Sequence, residues 1–155
     1  MVKTLEPPGT PEGVRALARV FAGHLEMTLD VTPRSVRLAR KIVGSHLDLW
    51  GFGSLCDAAE LVVTELLTNV LQHTRPVRGD AREAQITLTK IPGGVTLCVH
   101  DDDPNQPCQM RASPDCENGW GIQLVKELAD EYGSALSPGG GKDVWATLLV
   151  PRKNG

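Results

Sequence analysis

The chain has 155 residues, with 16 Lys plus Arg against 19 Asp plus Glu, a net charge of −3 and 4% aromatic residues. That length suits one domain with a sizeable core, while balanced charge without a basic run and few aromatics exclude a phosphate-backbone or base-stacking surface, so no direct nucleic-acid partner is expected. No segment reaches the roughly 20 apolar residues of a membrane span, and the proline-rich start MVKTLEPPGTPEG lacks a signal-peptide core, so a cytoplasmic protein without a membrane partner is expected.

In chain order, residues 1–10 read as a disordered lead. Pro11 to Gly23 has Val14, Leu17, Ala18 and Phe21 at helical spacing, which predicts a short helix. A lead over 1–23 is thus expected ahead of a domain over 24–152. HLEMTLDV alternates at period two and predicts a strand over 24–31. Thr32 as N-cap and Pro33 at the first helical position open a helix that ends at Gly51. A second helix starts after Ser54, with Asp57 three residues on, and runs to about Thr74. RPVRGDARE is a polar connector.

The period then changes. AQITLTKI and GVTLCVHD predict two strands joined by PGG. DDPNQPCQMRASPDCENG is long, polar and interrupted by prolines, and a loop of that length is usually functional or disordered. WGIQLVKELADEYG predicts a helix closed by Gly133, and the stretch after it predicts a hairpin with PGGG at its tip. The expected fold class is α+β: a two-layer sandwich with helices on one face of a mixed, mostly antiparallel sheet. Cys56, Cys98, Cys108 and Cys116 form no C-x-x-C pair and are expected as reduced thiols.

Three polar clusters interrupt this pattern. In ELVVTELLTNVLQHT, Glu65 and Asn69 lie one turn apart, about 40° around a helix whose other residues are mostly apolar. A solvent-facing edge would account for them, and so would a pocket that needs a carboxylate beside an amide. In VHDDDPNQP, Asp101 ends a strand. Three consecutive carboxylates raise one another's pKa unless they diverge or meet a cation or donor. In NGWGIQLV, Gly119 and Gly121 open a helix, where backbone N–H groups and the helix dipole favour an anion.

The order of these clusters is that of the GHKL ATPase superfamily, the Bergerat fold. AAELVVTELLTNVLQHT, VHDDDPNQP, NGWGIQLVKELADEYG and GGGKDVWATLLVP resemble most closely its small single-domain anti-sigma serine kinases of the actinobacterial type. The resemblance covers roughly residues 25 to 151. It implies ATP and Mg²⁺ as cofactors, with Asn69 as Mg²⁺ ligand and Glu65 as catalytic general base. It implies that Asp101 accepts from the adenine amine, that Asp103, Gly119, Gly121 and Ile122 belong to the nucleotide-binding set, and that 104–118 form an ATP lid.

The implied partners are a sigma factor and a small STAS-type anti-sigma antagonist, and a homodimer is compatible with the type. The implied function is therefore a protein-serine/threonine kinase and anti-sigma factor. A nucleotide-gated binding module with little or no phosphoryl transfer is the alternative. The chain departs from the family pattern in several places, and the third glycine of longer lids is absent. D-x-G reads Asp101-Asp102-Asp103, the residue between the lid glycines is Trp120 where Arg is frequent, and G-T-x-V reads Gly141-Lys142-Asp143-Val144.

Overall fold

Strand structure begins earlier than local spacing indicated. The computed structural model describes residues 3–7, 9–10, 12–73, 81–103 and 119–151. Lys3–Leu5 forms β1 and Ala16–Phe21 forms β2, so the segment expected as a lead with a short helix contributes two strands to the sheet. Ala16 and Ala18 face inward, while Leu17 and Arg19 face solvent. The apolar spacing of 14, 17, 18 and 21 fits a helix locally. Antiparallel pairing with the strongly alternating β3, His24–Asp30, overrides it.

Helix α1, Pro33–Leu49, starts as its sequence dictates. Thr32 accepts from the Ser35 amide, and Ser35 Oγ accepts from the Thr32 amide, a capping box with serine in the Glu position. At the other end the Gly51 amide donates to Asp48 and the Phe52 amide to Leu47, a Schellman closure. A 3-10 turn, Gly53–Leu55, leads into α2, Cys56–His73. Ser54 lies inside that turn and does not cap α2, as the sequence had suggested.

Strands β4, Glu83–Ile91, and β5, Gly94–Asp101, form the central hairpin. Helix α3, Gly119–Leu128, stops five residues before Gly133. Strands β6, Glu131–Leu136, and β7, Lys142–Leu149, complete the sheet. Gly133 is a strand residue and no helix cap, and its lack of a Cβ makes room for the Trp145 indole on the neighbouring strand. The Asp130 amide donates to Thr147, and its carboxylate accepts from the Leu149 amide. The edge of β7 therefore captures the chain just after α3 and ends that helix.

The sheet order is β1-β2-β3-β4-β5-β7-β6, and every described pairing is antiparallel. A mixed, mostly antiparallel sheet was expected. Strands β5 and β6 do run parallel across α3, but β7 lies between them, so no parallel pair forms. One face carries Leu25, Met27, Leu29, Ile86, Leu88, Leu97, Val99, Ala146 and Leu148, all buried with the apolar sides of α1, α2 and α3. The architecture is thus an α+β two-layer sandwich. The other face is threonine-rich, with His24 Nδ1 on Thr89 Oγ1 at 2.9 Å and Thr96 Oγ1 on Thr147 Oγ1 at 3.0 Å. No helix of the described residues is long and apolar enough to cross a membrane.

Cys98 lies on that polar face, and its thiol is pushed up to about 11, first by burial and then by the Asp143 carboxylate. The thiolate is the reactive form. In the native protein at pH 8, Cys98 should therefore react with iodoacetamide about 10- to 100-fold more slowly than in the urea-unfolded chain. Site-resolved mass spectrometry reads this, and equal rates in the two states would refute the shielding. Because the folded value lies above the ordinary 9.0, the thiol's stabilising contribution is whole below pH 9 and is lost as pH rises through about 11.

Candidate functional site

Helix α2 turns its apolar residues, among them Val62, Val63, Leu66, Leu67 and Val70, into the core. Its opposite side carries Glu65, Thr68, Asn69 and Gln72 at i, i+3, i+4 and i+7. That spacing usually marks an apolar stripe. Here the polar stripe forms one wall of a cavity of about 360 Å³, and Gly121, Ile122 and Leu124 of α3 form another. This volume is within the range of small-molecule sites.

Glu65, Asn69, Gly121 and Ile122 are therefore brought together as expected. Gly119 is the first residue of α3. Thr68 and Gln72 join the wall unanticipated, although the helical spacing from Glu65 pointed to both. Residues 104–118, expected as a lid with Cys108 and Cys116, lie outside the described residues, as do the side chains of His73 and Trp120.

The contact between the two walls is close. A Cβ at position 121 would fall inside van der Waals contact of Glu65 Oε2, so any larger residue there would push this carboxylate aside. The described lining supplies a carboxylate, a hydroxyl, two amides and the N-terminal turn of a helix. These are hard oxygen donors and N–H groups, which suit a phosphate chain with Mg²⁺ and do not suit a soft metal.

Asp101 and Asp103 form a second cluster and are not among the residues lining that cavity. Asp101 ends β5 on the core face at 4% exposure. Its Oδ1 accepts from the Asp103 amide at 2.9 Å and from Lys142 Nζ at 2.9 Å. Lys142 Nζ also donates to the Asp103 carbonyl at 2.9 Å. The Asp103 amide closes an Asx-type turn, so the bend after β5 forms without the glycine of D-x-G.

Asp102 turns away from Asp101 and pairs with His100 Nε2 at 3.4 Å, whereas Asp103 is buried beside Asp101 and its charge adds to the upward push of burial on that carboxyl. On the polar face His100 Nδ1 also meets Asp143 at 2.7 Å. Burial pushes the Asp101 carboxyl up, opposed by the hydrogen bond and charge of Lys142 and by the Asp103 amide.

Lys142 was not foreseen as a site residue. It stands opposite Asp101 in the β5–β7 register and occupies the Thr position of G-T-x-V. Gly141, at φ 77°, makes this possible, since a Cβ there would overlap the Asp101 carbonyl. Thr147 does not substitute for the missing threonine, because it faces the opposite side of the sheet and bonds Thr96.

A two-layer sandwich with a polar helical stripe facing the glycine-containing start of another helix, and a carboxylate at a central strand end, defines a nucleotide-binding class. The family described as histidine kinase-like ATPase domain matches residues 29–148, and the chain belongs to it. It is an ATP-binding domain of the GHKL type. No curated protein matches the chain.

Proposed function

We propose that the protein is a Mg-ATP-dependent protein-serine/threonine kinase and anti-sigma factor, which sequesters a sigma factor and phosphorylates a small STAS-type antagonist. The observation that carries this is the Glu65–Asn69 pair on the cavity wall, with Gly121 packed on the carboxylate. A module that only held nucleotide would need the amide but no base.

ATP would supply the phosphoryl group, with Mg²⁺ neutralising its charge. Asn69 Oδ1 offers the ion one hard ligand. Glu65 accepts the proton of the acceptor hydroxyl. Asp101 keeps Oδ2 for the exocyclic amine of adenine, and a carboxylate that only accepts rejects the carbonyl of guanine at that position. The test is incubation with labelled ATP, Mg²⁺ and each STAS antagonist encoded in the same genome. Label on a serine or threonine of one antagonist is expected. Nucleotide-dependent antagonist binding without label would make the protein a binding module instead.

Two substitutions examine the pocket itself. Asp101→Asn offers a donor where the amine needs an acceptor, and should cost about 1.5–3 kcal/mol of ATP binding, the scale of a charged hydrogen bond. Calorimetry giving equal affinities would sink the assignment of Asp101. Asn69→Ala should remove the Mg²⁺-dependent part of ATP affinity and spare most of the rest, with a smaller effect on ADP. Titration with and without EDTA reads this, and unchanged metal dependence would leave Asn69 as a structural amide.

A further inference from the structure

Lys142 is 2% exposed, and neither phosphate chemistry nor proton transfer at Glu65 uses it. A buried ammonium is costly unless paired, and the threonine of the family pattern would fill this position without a charge. An ammonium has three donors. Two are spent on Asp101 Oδ1 and the Asp103 carbonyl, and among the described residues nothing accepts the third. Asp101 receives both of its bonds on Oδ1, and among the described residues no donor reaches Oδ2. A free acceptor and a free cationic donor therefore stand side by side on one buried pair. Gly141 admits the close approach that holds them together.

Adenine carries the complementary pair on adjacent atoms, the N6 amine as donor and ring N1 as acceptor. A threonine hydroxyl is short and would meet N1 only through water. The four-carbon stem of lysine brings a charged donor up to the base itself. We propose that Lys142 is a base-reading residue, whose free N–H donates to ring N1 while Asp101 Oδ2 accepts from the amine. This rests on Asp101 being the adenine-facing carboxylate. Guanine presents the two groups in reverse order, with a carbonyl against the carboxylate and an N–H against the ammonium, so one pair of residues reads both atoms.

The test measures binding of the full chain with Mg²⁺ to three nucleotides: ATP, 1-deaza-ATP, in which N1 is a C–H, and purine riboside triphosphate, which lacks the amine. Wild type should bind 1-deaza-ATP about 10- to 100-fold more weakly than ATP, because a buried charged donor loses its acceptor. In Lys142→Thr that ratio should fall at least about fivefold, while discrimination against purine riboside triphosphate persists, since Asp101 remains.

Equal wild-type affinities for ATP and 1-deaza-ATP, or an unchanged ratio in Lys142→Thr, would make Lys142 a counter-ion only and leave the adenine pocket standing. Equal affinities for ATP and purine riboside triphosphate would instead overturn the assignment of Asp101, and this inference with it. Equal affinities for ATP and 1-deaza-ATP on wild type overturn the inference even where the variant fails to fold.

Discussion

Glu65→Ala is expected to lower phosphoryl transfer to the antagonist by about 10²–10⁴ while ATP affinity stays within a few fold. The carboxylate meets the acceptor hydroxyl and not the nucleotide, so its loss removes proton acceptance and leaves binding in place. The lower end is favoured, because phosphoryl transfer depends mostly on positioning and charge neutralisation. Glu65 Oε2 also packs on Gly121, and alanine leaves space there without a clash. Glu65→Gln keeps that packing and should lose transfer to a similar degree. The variants should therefore accumulate a complex with ATP and antagonist that wild type resolves. Single-turnover transfer with labelled ATP, beside a binding isotherm, measures both quantities. Transfer at the wild-type rate in both variants would remove Glu65 from the chemistry.

The second large effect concerns stability. Lys142→Met should destabilise the fold by about 3 kcal/mol at pH 7, since removing one partner of a buried pair leaves the other charge uncompensated. Both side chains are almost wholly enclosed, so solvent screening gives little relief. The figure is at the low end of the range for such pairs because Asp101 can take up a proton.

That proton gives the effect a pH signature. Burial already raises the Asp101 carboxyl above its ordinary 3.8. Without Lys142 it should rise further. A raised carboxyl stabilises the fold fully below the unfolded value and loses that contribution as pH climbs through the folded one. The variant's deficit should therefore be small near pH 4 and grow toward neutrality. In Asp101→Asn/Lys142→Met much of the loss at pH 7 should return, as neither charge is left alone. Urea denaturation at several pH values reads all of this, and a deficit independent of pH would assign the loss to packing.

The cap of α1, the alternation of β3 to β5 and the placing of Glu65 and Asn69 on one helix face were legible locally, because each depends on residues within one or two turns or one hairpin. The same locality misled at two points. The spacing of Val14, Leu17, Ala18 and Phe21 satisfies a helix, yet that segment pairs with β3. The run to Gly133 reads as continuous helix, yet β7 draws the chain into the sheet at Glu131. In both cases antiparallel pairing with the next strand of the chain outweighed a propensity difference of a few tenths of a kcal/mol per residue.

The sequence by itself determined the class of protein, because the E-x-x-x-N helix, the strand-end Asp101 and the G-x-G helix start each hold their chemistry in a short stretch. Only the tertiary structure decided what surrounds Asp101. Lys142 lies 41 residues further along the chain and reaches this carboxylate through the β5–β7 register. Tertiary structure also decided which side of α2 faces a cavity, since Thr68 and Gln72 become wall residues only once α3 packs across from them. A helix fixes which of its own side chains share a face. What that face meets is fixed by burial of the opposite side, and so by the whole core.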